Sequence, residues 1–219
     1  MDEGTHQISL PNGAHINVYA NPYTPEFCDW AFPYELDEDC FNSPATTLKD
    51  AKFITRYPVP DRSSQAPIDI MITHGPPYKR MDKTDSGVDA GCPHLLRALM
   101  RARPLLHCFG HIHEGWGAEF VNWSDADRIA TDPSSIAEWK DGKYASGMAP
   151  ENGVKPVTVD SAATNERHAA YLDITANGER IAPGEQTALI NAAIMNVKYR
   201  PVNAPWLVDM DFPIRPRST

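Results

Sequence analysis

The sequence lacks the features that define several protein classes. Its 219 residues include only four cysteines, none in a CxxC pair, which argues against a disulfide framework and a closed structural zinc site. No apolar run approaches the roughly 20 residues of a membrane span. The acidic, polar start of the chain is not typical of a secretory signal. We therefore expect a cytoplasmic protein with free thiols and no membrane partner.

The chain also lacks an excess of positive charge. It carries 20 Lys and Arg against 29 Asp and Glu, for a formal net charge of −9. Nothing in this balance indicates the basic footprint of a nucleic-acid-binding protein, so we expect no nucleic-acid partner. An acidic protein can still bind phosphate esters where metal ions supply local positive charge. The length allows one sizeable core.

Residues 68–109 predict one strand–helix–strand unit. The runs 68–73 and 105–109 are apolar, as in buried parallel strands. Between them, a helix begins at Pro93 and ends before Pro104. A single right-handed crossover makes the two strands parallel and brings their carboxyl ends to one edge of the sheet, where α/β proteins usually place their sites.

The other segments complete an α/β prediction. Asn12-Gly13 predicts a hairpin over 7–20. The acidic stretch 35–50 is compatible with a short helix. We expect a single partial domain, 1–219, with its core in 7–121 and 187–213 and a long irregular insertion over about 122–186. The last strands of the core are predicted within 187–194 and 206–212.

Histidines follow both strands of the central unit. His74 stands in His-Gly-Pro-Pro directly after the first strand, and the second strand ends in Gly-His-Ile-His, which contains His111 and His113. Imidazole is the commonest side-chain metal ligand and binds zinc, manganese and iron well. We predict these three histidines to be metal ligands. The alternative is that they are ordinary polar residues of the surface or core.

Three further residues have open assignments. Asn191 is either a buried hydrogen-bonding residue or a partner that orients a metal ligand. Glu114 either orients a neighbouring histidine or lies in solvent. Trp116 either forms the wall of a pocket that stacks a base or sugar, or packs against its neighbours.

The two histidine motifs resemble the closing motifs of the calcineurin-like metallophosphoesterases. The similarity is closest to the metallophosphoesterase-domain (MPPED) branch and extends to 17–25, 110–117 and 191–196, followed by Pro205-Trp206. The resemblance implies the C-terminal half of a four-layer α/β/β/α sandwich. It also implies a dinuclear centre of Mn, Fe or Zn ions, with His74 and His111 on the second metal and His113 on the first. The implied substrates are phosphomonoesters or, preferably, phosphodiesters such as a cyclic nucleotide.

The sequence departs from this family in one large respect. The Asp-x-His, Gly-Asp and Gly-Asn-His motifs of the family's N-terminal half are absent, and with them the bridging aspartate and the histidine that protonates the leaving group. Three of roughly seven metal-binding groups then remain. We expect no catalytic leaving-group histidine, one bound metal or none, and a truncated phosphoesterase that is weak or inactive.

Two other hypotheses stay open. The chain is alternatively a non-catalytic binding module that keeps half of a metal site, or completes it with a partner, and forms an oligomer through an exposed sheet surface. It is otherwise a mononuclear hydrolase, because three histidines and a water can hold a single catalytic zinc.

Overall fold

A seven-stranded mixed β-sheet forms the centre of the fold. The computed structural model describes residues 2–27, 31–49, 51–124 and 153–212. In spatial order the strands of the sheet are β1 (Gly4–Ser9), β2 (His15–Asn21), β7 (Ile70–Thr73), β8 (Leu106–Phe109), β12 (Gln186–Asn191), β9 (Gly117–Asn122) and β10 (Val154–Pro156). Strands β2, β7, β8 and β12 are parallel, and the remaining pairs are antiparallel. The predicted α/β class and the parallel central unit are confirmed.

Shorter elements surround this sheet. Three parallel two-stranded pairs are formed by β3 (Thr24–Pro25) with β4 (Pro33–Tyr34), β5 (Glu38–Asp39) with β6 (Lys52–Phe53), and β11 (Ala170–Asp173) with β13 (Trp206–Asp209). The helices in the described ranges are α1 (Pro93–Ala102), α2 (Ser161–Arg167) and a 3₁₀ turn at His113–Gly115. None of these described helices has the length and apolar character needed to cross a membrane.

Helix α1 covers one face of the sheet. Its start is set by Pro93 at the first position and by Cys92, whose Sγ accepts a hydrogen bond from the Leu95 N–H at 3.3 Å. It ends at Arg103, whose φ of 46° lies in the left-handed region. Its leucines pack with core residues that include Met71 of β7. The predicted helix is therefore confirmed, with its predicted boundaries.

The outer surface of α1 is also buried, because residues 39–49 and 51–61 lie across it. Asn42 donates from Nδ2 to the backbone oxygen of His94 at 3.0 Å and to both carboxylate oxygens of Asp39. Arg97 donates to the backbone oxygen of Thr46 at 2.7 Å. The short helix considered for 35–50 is not found at its described residues. Turns and the short strand β5 occur there instead, held by these buried polar contacts.

The opposite face of the sheet is covered by the later part of the chain. Leu106, Ala188 and Ile190 lie in a second buried cluster with Leu172 of β11. The stretch predicted to be irregular, about 122–186, therefore contains ordered elements. Strand β10 joins the main sheet, whereas α2 and β11 lie outside it. Residues 125–152 of that stretch lie outside the described ranges. Strand β13 pairs with β11 rather than with the main sheet.

Part of this second face remains open at the middle of the sheet. Ile72, on the central strand β7, is 42 % exposed, and its paired neighbour Cys108 on β8 is only half-buried. Central strands normally have both faces covered. An apolar surface is thus open to solvent or to a further protein layer.

A fully buried histidine, His107, lies on the face of the sheet that α1 covers. His107 of β8 is paired in register with Met71 and Leu189, and its ring lies 4.9 Å from that of Phe109. Burial lowers the pKa of His107 from its ordinary value of 6.5 to about 3, because the imidazolium cannot be solvated there. The folded protein therefore holds this ring neutral.

We expect His107 to make stability fall as the pH is lowered. The unfolded chain takes up a proton below about pH 6.5, whereas the folded chain does so only near pH 3, so the lost stability grows between these values. The slope for this one group approaches about 1.4 kcal/mol per pH unit. Guanidinium unfolding at a series of pH values should show a shallower slope for His107→Gln than for the wild type. Parallel slopes for the two proteins would contradict this account.

Candidate metal site at the strand ends

Two histidine side chains meet at the carboxyl ends of adjacent parallel strands. The register that pairs Ile72 with Cys108 brings the ends of β7 and β8 to the same edge. His74 and His111 follow these ends, and their ring centroids are 4.8 Å apart. The Gly110 N–H donates to the backbone oxygen of His74 at 3.0 Å and ties the two loops together. The pairing expected from the strand topology is thus present.

The surroundings favour neutral imidazoles at both positions. Burial lowers the pKa of His111 from 6.5 to about 4, and the neighbouring imidazoles of His74 and His113 add to this effect. His74 is exposed along one side, but packing on its other side also lowers its pKa. A metal ligand must offer an unprotonated nitrogen. Both rings are therefore ready to bind a cation at neutral pH.

The backbone of His111 has an unusual conformation. Its φ of 68° lies in the left-handed region, which non-glycine residues seldom adopt. Such strain persists only where the surrounding structure imposes it, and it is frequent at functional sites. At His111 the left-handed turn directs the chain away from β8 immediately after Gly110. The ring of His111 consequently lies beside that of His74.

A buried hydrogen-bond chain supports the loop that carries His74. The Thr73 hydroxyl donates to the backbone oxygen of Gly75 at 2.8 Å, and His107 Nε2 lies 2.9 Å from the same hydroxyl oxygen. Because the hydroxyl proton is used toward Gly75, the His107 nitrogen must be the donor in this contact. This arrangement assigns the proton of the neutral His107 ring to Nε2. The core histidine thereby fixes the backbone on both sides of His74.

Asn191 holds the loop of the second histidine. It is fully buried at the end of β12, and its Nδ2 donates to the backbone oxygens of Ile112 at 2.9 Å and Met81 at 3.1 Å. Its Oδ1 accepts from the Ala193 N–H at 3.0 Å. Of its two assignments, buried hydrogen bonding is the one observed. It acts on loop backbone and contacts neither His74 nor His111 by these bonds.

Close packing at Gly115 closes the same loop. A Cβ at this position would lie 1.9 Å from the Met81 backbone oxygen and 2.8 Å from Asn191 Nδ2. No side chain fits there without displacing backbone. The glycine that follows the His-Ile-His-Glu segment is therefore required by the approach of the loop that contains Met81.

The remaining sequence candidates take other positions. His113 lies in the 3₁₀ turn, and its ring centroid is 5.7 Å from that of Tyr199. Glu114 accepts the Asp85 N–H at 2.9 Å, so it fixes a neighbouring loop. Trp116 donates to the Ala204 backbone oxygen at 3.0 Å and packs 5.4 Å from Trp206. Trp116 therefore packs against its neighbours, and it also belongs to the lining of a cavity beside Met81 and Glu114.

The described residues do not assemble a complete metal centre. No group of three His, Cys, Asp or Glu side chains converges on one point within 2–27, 31–49, 51–124 and 153–212. His74 and His111 form a pair, and His113 does not join them in such a group. Asp82, the nearby buried carboxylate, accepts the N–H groups of Lys79 and Gly91 at 2.8 Å each and closes its own loop. A dinuclear centre therefore does not fit these residues alone.

Comparison with known proteins places similar sequences in several organisms. The chain is 34% identical to metallophosphoesterase domain-containing protein 1 of Homo sapiens over 104 residues, which are 47% of this chain and 27% of that protein. It is 30% identical to a UPF0046 protein of Caenorhabditis elegans over 105 residues, 47% of this chain and 22% of that protein. No protein-family model matches the chain.

A third relative has a different name. The chain is 34% identical to a probable rhamnogalacturonate lyase C of Emericella nidulans over 123 residues. These residues are 55% of this chain and 10% of that protein. The matched region thus spans less than a third of each relative's own length. The similarity supports the metallophosphoesterase resemblance in a loose form, because two of the three names do not specify that activity.

The strain at His111 leads to a stability prediction. His111→Gly should be more stable than His111→Ala by about 0.5–1 kcal/mol, because only glycine adopts a left-handed φ without steric cost. His113 provides the control, since its φ is not positive and the order of glycine and alanine should reverse there. Thermal and denaturant unfolding of the four variants measures both differences. An alanine at 111 that equals or exceeds glycine would contradict the left-handed turn.

Proposed function

We propose that this chain is a metallophosphoesterase-type polypeptide that binds one divalent cation and acts on phosphate esters. In this proposal His74 and His111 are the protein ligands of that cation, and His113, the third histidine predicted from the sequence, does not converge with them. The observation that carries it is the His74–His111 ring pair at the ends of two parallel strands. The partial similarity to metallophosphoesterase domain-containing protein 1 supports the phosphoesterase part of the proposal.

The chemistry of the ligands limits the cation. Neutral imidazoles suit zinc and iron best and manganese, which prefers oxygen ligands, less well; these are the three ions we propose. A cation bound there would polarise a phosphoryl oxygen and lower the pKa of a bound water. The residues of the chain would hold it, and the Thr73–His107 and Asn191 contacts would keep the two loops in place.

The same donor set implies weak hydrolysis by the described residues alone. Imidazoles carry no charge to balance two dications, and within the described part of the chain no carboxylate joins the pair. We also assign no histidine to the protonation of the leaving group. We propose that efficient turnover requires carboxylate ligands supplied from outside these residues. The four-layer sandwich of the family would provide a second sheet for this purpose, lying against the open face around Ile72.

Metal binding and hydrolysis test the proposal together. The purified chain should bind about one equivalent of Mn²⁺ or Zn²⁺ and hydrolyse bis(4-nitrophenyl) phosphate slowly. His74→Ala and His111→Gly should each weaken metal binding by at least about tenfold, the size of loss known even for groups that only orient ligands. Calorimetry and a chromogenic assay measure the two quantities.

His6→Gln is the matched control, because His6 lies on the edge strand β1, which β2 separates from β7. His6→Gln should leave metal binding and hydrolysis unchanged. Metal binding that is equally strong in the wild type and in both site variants would overturn the assignment of the ligands.

The open sheet face favours a second candidate function. A module without independent activity would present its half-site to a partner and bury the surface around Ile72 in the contact. The 42 % exposure of an isoleucine on a central strand favours this hypothesis. A second copy of the chain is the simplest partner to test.

Light scattering during size-exclusion chromatography tests this candidate. Ile72→Thr keeps a β-branched side chain on the strand but makes the surface more polar, so it should shift an oligomer toward the monomer. Ile8→Thr, on the edge strand β1 and 39 % exposed, is the control and should have no effect. A monomeric wild type, or an oligomer indifferent to Ile72→Thr, argues against self-association through this face.

A further inference from the structure

The cavity beside Met81 and Glu114 is distinct from the histidine pair. It has a volume of about 490 Å³, and its lining includes residues 79–83 and Trp116. None of the three histidines predicted as metal ligands belongs to this lining. The volume is in the range of sites that enclose most of a small organic ligand. A ligand in this cavity would therefore contact different side chains from a cation held by the histidines.

A buried arginine forms part of the cavity wall. Arg80 is 7 % exposed, and its Nε and Nη1 have no hydrogen-bond partner among the described residues. The nearest carboxylate oxygen, Oε1 of Glu119 on β9, lies 3.4 Å from Nη1 but does not accept a hydrogen bond from it. Buried polar groups are normally hydrogen-bonded, so these donors indicate an acceptor that arrives with a ligand.

Glu119 does not satisfy the donors of the arginine. Its side chain is 12 % exposed and is absent from the cavity lining. Burial raises the pKa of Glu119, and the nearby charge of Arg80 only partly offsets this effect. The cost of removing two charges from water is offset only when close hydrogen bonds satisfy both groups. The ion pair therefore leaves donors of Arg80 for a second acceptor.

The backbone around Arg80 has an unusual conformation. Lys79 has a φ of 56° and Met81 a φ of 48°, so residues in the left-handed region flank the arginine on both sides. Non-glycine residues seldom adopt this region, and such strain persists where contacts impose it. Here Asp82 accepts the N–H groups of Lys79 and Gly91 and closes the turn. The turn holds Arg80 in the cavity wall.

The other charges of the lining favour an anion with a single charge. Lys79 and Lys83 add to the positive charge of Arg80, and three acidic residues stand in the same lining: Asp82, Asp89 and Glu114. A dianion or a phosphate chain is repelled by these carboxylates, whereas a monoanion is disfavoured less. A planar carboxylate also matches a guanidinium group, which can bind it through two parallel N–H bonds.

Trp116 supplies an aromatic wall for the same cavity. Its indole N–H donates to the Ala204 backbone oxygen, and its ring packs against Trp206, so its orientation is fixed. Met81 lies in the lining as well. Aromatic side chains bind flat apolar groups in offset or edge-on arrangements. The part of a ligand beside Trp116 should therefore be flat and apolar.

We propose that this cavity binds a small aromatic monocarboxylic acid, with its carboxylate at Arg80 and its ring beside Trp116. The site is independent of cation binding by the histidines and of hydrolysis. Lys79 and Lys83 attract the anion, and the guanidinium of Arg80 donates hydrogen bonds to it. The ligand and Glu119 then share the same arginine, which ties the loop 79–91 to β9.

Three benzene derivatives separate the contribution of charge from that of shape. Benzoate carries one negative charge, benzamide carries none, and phenyl phosphate carries two. The three are titrated calorimetrically into the full chain in metal-depleted buffer. Benzoate should bind at least about tenfold more tightly than benzamide, because hydrogen bonds to a charged partner are roughly twice as strong as neutral ones. Phenyl phosphate should bind at least about threefold more weakly than benzoate, because the carboxylates of the lining repel a dianion.

Variants of the wall locate the binding. The double variant Arg80→Met with Glu119→Gln removes the guanidinium and its buried partner charge together, and it should weaken benzoate binding at least about tenfold. Lys83→Gln, at an exposed position, should weaken it about twofold to fivefold. Lys198→Gln is the matched control and should have no effect, because Lys198 is exposed and absent from the lining. His111→Gly should also bind benzoate like the wild type.

Four results would overturn the inference. They are equal affinity for benzoate and benzamide, no saturable binding of benzoate, unchanged binding in the folded double variant, and loss of binding in His111→Gly. If the double variant does not fold, the comparison with benzamide and the comparison of Lys83→Gln with Lys198→Gln decide. Benzoate binding by a chain that takes up no metal would leave this site standing and remove the proposed enzyme function.

Discussion

The backbone hydrogen bond from Gly110 to the carbonyl of His74 is the contact on which the rest of the site depends. It joins the loops that follow two parallel strands, and it can form only because β7 and β8 end at the same edge of the sheet. The left-handed turn at His111 then brings its ring beside His74. Asn191 and the Thr73–His107 pair hold the two loops from the side of the core.

Local patterns in the sequence were sufficient for this central unit. The apolar runs before His74 and Gly110, with Pro93 and Pro104 at the limits of the helix, predict the strand–helix–strand order and hence the shared edge. The hairpin at Asn12-Gly13 follows from turn chemistry and is also found. These features were predictable because each depends on residues close together in the chain.

Other features depend on contacts between distant segments. The covering of α1 by 39–49 and 51–61 rests on buried polar groups such as Asn42, which have no periodicity to reveal them. Strand β11 gains its partner only from β13, 36 residues later by register (Ala170 with Trp206). The role of His107 requires its register with β7, and the contact of Tyr199 with the His113 ring joins two segments that are distant in the chain. Long-range packing of this kind leaves little trace in a short window of sequence.

The fold combines a histidine pair, held in place by loop hydrogen bonds, with an uncovered sheet face. Among the described residues, no carboxylate joins the pair. We propose that His74 and His111 bind one cation together. Anomalous diffraction from crystals grown with Mn²⁺ or Zn²⁺ tests it most directly. The account predicts a single peak within about 2.0–2.3 Å of one nitrogen from each ring. A fully occupied metal elsewhere, with no peak between these rings, would contradict it.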